Sequence, residues 1–165
     1  MNELRTPVRI ALLTSFSLLL FILEGLLPLP LPVPGAKLGL AAVVTLVALY
    51  TLPHTRDALA VLILRILLAS FFGGGIAPML YSLAGGLGSF AVMALLKKHT
   101  RRLSIVGISA VGGLMHNVCQ LAVAAVVMRT DALFVYAPVL GIVGTLTGIG
   151  IGLLAREILQ NFSTG

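Results

Sequence analysis

Three polar side chains lie close together in an apolar run of the chain, "GGLMHNVCQL" at residues 112–121. They are His116, Asn117 and Gln120, and the surrounding residues are mainly Val, Ile, Leu, Ala and Gly. A polar group in hydrocarbon is costly unless it has a hydrogen-bond partner or binds a ligand. In a helix, His116 and Gln120 share one face because they are four residues apart, whereas Asn117 points about 100° away. The pattern is typical of a ligand site or of hydrogen bonding between helices.

Charged residues in other apolar segments join this group. Glu24 ends the first segment, Lys37 begins the second, and Arg65 lies near the middle of the third. With the N-terminus in the cytoplasm, all of them would lie in the outer half of the membrane or near its midplane. The cations and donors suit an anionic or carbonyl-rich small molecule. We therefore predict a cavity that opens to the outside, with these candidate substrate-binding residues: Glu24, Lys37, Arg65, His116, Asn117 and Gln120.

Each candidate also has a purely structural interpretation. Arg65 could pair with Glu24 or with backbone carbonyls and so stabilise the bundle. His116 and Asn117 could hold neighbouring helices together, and Lys37 could extend to the outer headgroups. The sequence leaves these alternatives open, and the ligand hypothesis depends on the co-location of the residues rather than on any single one.

The composition is that of an integral membrane protein. Of the 165 residues, 59% are hydrophobic and only 10% are charged, and the mean hydropathy is +1.13. A soluble domain of this length carries about 25% charged residues. The net charge of +6 is placed mostly between apolar segments, so it indicates membrane topology rather than nucleic-acid binding.

Six apolar segments are separated by breaks rich in proline, glycine or charge. The breaks include "PLPLPVPG" at 28–35, "GGG" at 73–75, "KKHTRR" at 97–102 and "RTDA" at 129–132. We predict one all-α domain over residues 1–165, a bundle of six transmembrane helices. The predicted spans are 8–27, 36–52, 57–72, 76–96, 103–128 and 134–155.

The distribution of Lys and Arg predicts the orientation. If the N-terminus is cytoplasmic, eight of the eleven positive residues lie in cytoplasmic segments. Such an excess predicts that both termini are cytoplasmic. The eight residues are Arg5, Arg9, Arg56, Lys97, Lys98, Arg101, Arg102 and Arg156.

Motifs for several kinds of chemistry are missing from the sequence. Prenyl or phosphoryl transfer would need clustered carboxylates to hold magnesium, but the chain has five acidic residues and no DDxxD. It has no P-loop for ATP, and its single cysteine, Cys119, cannot form an intrachain disulfide or a multi-cysteine metal site. We therefore predict no catalytic residue, no metal and no cofactor, and interpret the chain as a non-enzyme.

Small residues recur at four-residue spacing in two segments. The last segment has Gly144, Gly148 and Gly152, which favours close helix packing within the chain. The first segment has Ala11 and Ser15 near its cytoplasmic end.

Four stretches resemble the Gx transporter family, which is also named heptaprenyl diphosphate synthase component I. They are "PGAKLGLAAVVTLVALY" (34–50), "LRILLASFFGGG" (64–75), "SLAGGLGSFAVMALLKK" (82–98) and "ISAVGGLMHNVCQLAVA" (108–124). The resemblance covers residues 8–155. One position differs, because this chain has Ala42 where the family often reads KLGLAN, and that difference bears on the range of substrates.

The resemblance implies a fold similar to the substrate-binding S components of energy-coupling-factor transporters. In such proteins a small-residue motif on the first helix docks onto a transmembrane coupling subunit driven by two ATPases, and Ala11 and Ser15 match that motif. The chain would then be the substrate-binding subunit of an importer in the bacterial inner (plasma) membrane, for a small anionic micronutrient or precursor. Two alternatives are a non-catalytic membrane accessory of heptaprenyl diphosphate synthesis and a structural membrane protein without a ligand.

Overall fold

The computed structural model describes residues 5–26, 39–100 and 102–163, and these residues are almost entirely helical. They contain no strand, which confirms the predicted all-α class. A π-helical turn, Ser70–Gly74, follows the third helix, and a 3-10 turn, Asp131–Tyr136, precedes the last. The six α-helices are α1 (Arg5–Leu26), α2 (Leu40–Thr51), α3 (Thr55–Ala69), α4 (Ile76–His99), α5 (Ile105–Met128) and α6 (Ala137–Ser163).

Four of the described helices, α1, α4, α5 and α6, are long and apolar enough to cross a membrane. The chain is therefore a multi-pass membrane protein by the length and composition of its helices. With 12 residues, α2 extends only about 18 Å along its axis, less than the roughly 30 Å of the hydrocarbon core. Six complete spans and two cytoplasmic termini remain predictions.

Helix boundaries lie within four residues of the predicted spans except at the end of the last helix. The third helix ends at Ala69 rather than at residue 72, because the backbone from Ser70 to Gly74 closes as a π-helical turn. The last helix extends to Ser163 rather than 155, because the polar residues after the apolar segment continue the same helix. Lys37 and the proline-rich stretch at 28–35 lie outside the described residues.

The short helix α2 lies at the centre of the bundle, where it packs against α1, α3 and α6. Eight of its residues are buried, and it is apolar on all sides, as a core helix must be. Its Leu46 and Leu49 pack in one cluster with Val61 and Ile66 of α3. At its carboxyl end, Lys97 Nζ of α4 donates to the Leu49 carbonyl at 2.6 Å, so α4 holds one end of α2.

Glycines bring α5 and α6 into close contact. A Cβ at Gly148 would lie 2.9 Å from the Ala110 Cα, and a Cβ at Gly152 would lie 2.7 Å from the Val106 Cα. Gly113 of α5 meets the backbone of Gly144 in the same way. The four-residue glycine spacing therefore serves packing within the chain, which confirms that interpretation of the sequence.

Candidate functional site

Glu24 of α1 caps the N-terminus of α2. Its two carboxylate oxygens accept hydrogen bonds from the backbone N–H groups of Gly39 at 2.7 Å and Leu40 at 3.1 Å. Gly39 has φ 77°, a left-handed conformation, so α2 begins after it. The first backbone N–H groups of α2 have no partners within the helix. Those amides need an acceptor, and a carboxylate also offsets the positive end of the helix dipole.

One face of α1 carries polar side chains toward α2. Ser17 Oγ donates to the Ala41 carbonyl at 3.0 Å, and Glu24 lies two turns further along the same face. Both side chains are buried. Ala11 and Ser15 are exposed, so the small-residue pair predicted to dock a partner is not covered by the described helices.

Arg65 is a buried cation in the middle of α3. It is only 9% exposed, and its Nε has no hydrogen-bond partner. The charge of Glu24 acts on the guanidinium across the contact between α1 and α3, but the ion pairs of the described residues do not include these two side chains. The geometry therefore differs from a direct structural pair, and it leaves a buried donor unused, at a cost of about 1–3 kcal/mol.

His116 and Gln120 of α5 both lie against Gly85 of α4. A Cβ on Gly85 would come within 2.7 Å of Gln120 Cγ and 2.9 Å of His116 Cε1. The two side chains therefore share one face, as their spacing predicted. The charge of Arg65 also acts on His116.

Gly85 is a residue that the sequence analysis did not single out as functional. It provides the space that the imidazole and the amide occupy, and a larger residue would displace both. Gly85 belongs to the "AGG" within residues 82–98, which was the sequence signal that could have identified it. A glycine in a glycine-rich membrane helix, however, does not show by itself which side chains it accommodates.

Asn117 is directed toward α6 rather than α4. Its Nδ2 donates to the Leu140 carbonyl at 2.7 Å, so it joins α5 to α6 by an interhelical hydrogen bond. This agrees with the expected rotation of about 100° from His116. The side chain is only partly buried, and its bond supports the helix that presents His116 and Gln120.

Three helices thus contribute an acid, a cation, an imidazole and an amide to one region of the bundle. The charge of Arg65 acts on His116 and that of Glu24 acts on Arg65, while the start of α2 holds the carboxylate and Gly85 of α4 leaves space for the imidazole. A buried guanidinium whose Nε has no partner is suited to binding an anion. No group of three or more His, Cys, Asp or Glu side chains among the described residues is placed to hold a metal ion.

A separate groove of about 470 Å³ lies along α5 and α6. Its lining is mostly apolar and includes none of the predicted substrate-binding residues. The lining residues are Leu114, Ala137, Pro138, Gly141, Ile142, Thr145 and Leu146.

Comparison with known proteins places the chain in a family. No curated protein and no solved structure matches it. The family described as heptaprenyl diphosphate synthase component I matches residues 13–158, which include every described residue of the candidate site. The match spans most of the chain, and the protein belongs to the heptaprenyl diphosphate synthase component I family.

Proposed function

We propose that this protein is the substrate-binding subunit of an energy-coupling-factor-type importer and that it captures a small anionic micronutrient or precursor. The observation that carries the proposal is Arg65, a nearly buried guanidinium whose Nε has no partner. Removing a cation from water costs several kcal/mol unless charge and hydrogen bonds compensate. Glu24 supplies part of the charge compensation, and a bound anion would add to it and satisfy Nε, which supports a ligand-binding role for Arg65.

The neighbouring groups fit a ligand with more than one polar atom. His116 and Gln120 offer a ring nitrogen and an amide that accept or donate hydrogen bonds. Lys37 remains a candidate on the strength of the sequence. Asn117 contributes by holding α5 against α6.

The outer surface of α1 supports docking onto a transmembrane coupling subunit. Its Ser17 and Glu24 face inward, whereas Ala11 and Ser15 are exposed. A surface of small residues lets another helix approach closely in a membrane. The chain has no ATP-binding motif, so partner ATPases would drive the change from outward capture to inward release.

The family name favours a second function, that of a non-catalytic membrane component of heptaprenyl diphosphate synthesis. In this role the chain would work with a partner synthase component that carries the magnesium-binding carboxylates. The same buried arginine would then bind a phosphate group of a lipid-linked substrate or product.

Native mass spectrometry after gentle extraction would test the ligand. We expect a small acid to accompany the wild-type protein and the Arg56→Gln control, whose arginine lies exposed at the start of α3. The acid should be lost from Arg65→Gln. Equal ligand occupancy in all three proteins would contradict the role of Arg65.

Co-purification would distinguish the two functions. We expect a membrane subunit with ATPases to accompany the wild-type chain and to be lost from Ala11→Leu and Ser15→Leu. Ala122→Leu adds the same bulk to an exposed position of α5 and should retain the partner. A stable complex with a DDxxD-containing prenyl synthase, unaffected by the α1 variants, would favour the second function instead.

A further inference from the structure

The charge of the acid group that the site accepts follows from how Glu24 and Arg65 are arranged, and this inference rests on the proposed anion site. We propose that Arg65 binds a singly charged acid group through Nε and one terminal nitrogen, and that Glu24 disfavours an acid group with two or more negative charges at this site.

One edge of the Arg65 guanidinium would contact the acid group. The N–H of Nε and one N–H of a terminal nitrogen point the same way, and together they match the two oxygens of a carboxylate or phosphate. In this protein Nε is buried and has no partner. An acid group bound along that edge would satisfy it, whereas a lysine ammonium would present only a point charge.

Hydrogen bonds hold the carboxylate of Glu24 in its position. Both of its oxygens accept N–H groups at the start of α2, and these bonds stabilise the charged form of the carboxylate. Its charge already acts on Arg65. A single negative charge on the ligand meets the guanidinium and its free N–H groups, whereas each further negative charge adds repulsion from the fixed carboxylate in a medium of low dielectric constant.

The part of the chain that the structure describes supplies no second buried cation to offset an additional negative charge. Among the described residues, Arg65 is the only Lys or Arg that is buried; the others are exposed. Within that part of the chain, one buried cation offsets one negative charge, which is the charge of a monocarboxylate or a phosphate diester. A diphosphate would bring further charges that no described buried cation offsets.

Two small phosphate esters provide matched probes. Dimethyl phosphate carries one negative charge, and methyl phosphate carries two at pH 8 because its second proton dissociates near pH 6. The rise in melting temperature of the detergent-solubilised protein with probe concentration gives an apparent affinity for each. We expect the wild-type protein to bind dimethyl phosphate more tightly than methyl phosphate, by a factor of about ten or more. This factor corresponds to the repulsion between Glu24 and the second negative charge at an intermediate dielectric constant.

Three variants test which residues cause the preference for dimethyl phosphate over methyl phosphate. Glu24→Gln retains an oxygen that accepts from α2 but loses the charge, and we expect it to abolish or reverse the tenfold preference. Glu157→Gln removes an exposed carboxylate of α6 and should leave the preference unchanged. Arg65→Lys keeps the positive charge but loses the paired donors, and should bind dimethyl phosphate about tenfold more weakly.

The outcomes separate this inference from the proposed function. If both esters bind in an Arg65-dependent way with equal affinity, or if Glu24→Gln keeps the wild-type preference, the charge restriction is wrong while the anion site stands. If neither ester raises the melting temperature, both the site and the restriction are overturned. Should Glu24→Gln fail to fold, the comparison of the two esters on the wild-type protein decides alone.

Discussion

The amide of Asn117 joins two helices through a single hydrogen bond to the Leu140 carbonyl. Interhelical hydrogen bonds in membranes contribute about 0.6 kcal/mol on average and up to about 1.7 kcal/mol. We expect Asn117→Ala to lower the free energy of unfolding by an amount in that range. Thermal or denaturant unfolding of the detergent-solubilised protein would measure it.

The neighbouring position supplies the control for this prediction. Val118 is 44% exposed, so Val118→Ala removes a side chain of α5 that lies at the surface and should change the free energy by less than about 0.5 kcal/mol. Equal stability of Asn117→Ala and the wild-type protein would show that the bond contributes nothing.

At the level of single residues, the spacing of polar residues along a helix predicts which way each side chain points, but not which group it contacts. The four-residue interval correctly placed His116 and Gln120 on one face, because helical periodicity fixes relative rotation. It did not predict that Glu24 would cap α2, since the acceptor's partners are two backbone N–H groups. Every residue except proline has such a group, so no pattern of side chains marks the ones that need a carboxylate.

At the level of helices, the close contact between α5 and α6 depends on glycines. A Cβ at Gly148 would lie 2.9 Å from the Ala110 Cα, so Gly148→Ala forces the two backbones apart. We expect a loss of stability of about 1–3 kcal/mol, the range for overpacking. The melting temperature of the detergent-solubilised variant would report it.

Gly150 lies on the same helix and is a matched control for Gly148. A Cβ there would meet nothing within 4 Å, so Gly150→Ala only improves helix propensity and should be neutral or stabilising by up to about 1 kcal/mol. If both alanine variants lose the same stability, the close helix contact does not explain the glycine spacing.

Helix positions could be predicted well from the breaks in the sequence, whereas helix roles could not. The "GGG" at 73–75 correctly predicted a break, and Gly75 has φ 68° there. No pattern in the sequence indicated that α2 would be the central helix, held by Glu24 at one end and Lys97 at the other. Its apolar run resembles the runs of the lipid-facing helices, and only tertiary contacts distinguish them.

Across the described part of the molecule, burial separates two groups of charged side chains. Arg65 and Glu24 are buried between helices, while the other described Lys and Arg side chains are exposed. Exposed cations at helix ends cost little and determine orientation, whereas a buried cation is costly and persists where it has a function. The charged residues therefore fall into two groups. The exposed Lys and Arg form a topology signal that predicts the orientation in the membrane, and the buried Arg65 and Glu24 belong to the candidate binding site.

The topology signal yields a prediction for the complete protein in its membrane. On a Cys119→Ala background, which removes the single thiol, we expect a membrane-impermeant thiol reagent to label Asp131→Cys in intact cells. Arg102→Cys and Glu157→Cys should react only after permeabilisation, because the excess of Lys and Arg retains their segments in the cytoplasm. All three substituted positions are exposed, so protection in intact cells would come from the membrane. Labelling of Arg102→Cys but not of Asp131→Cys in intact cells would reverse the orientation and place the candidate site nearer the cytoplasmic face, which is incompatible with capture from outside.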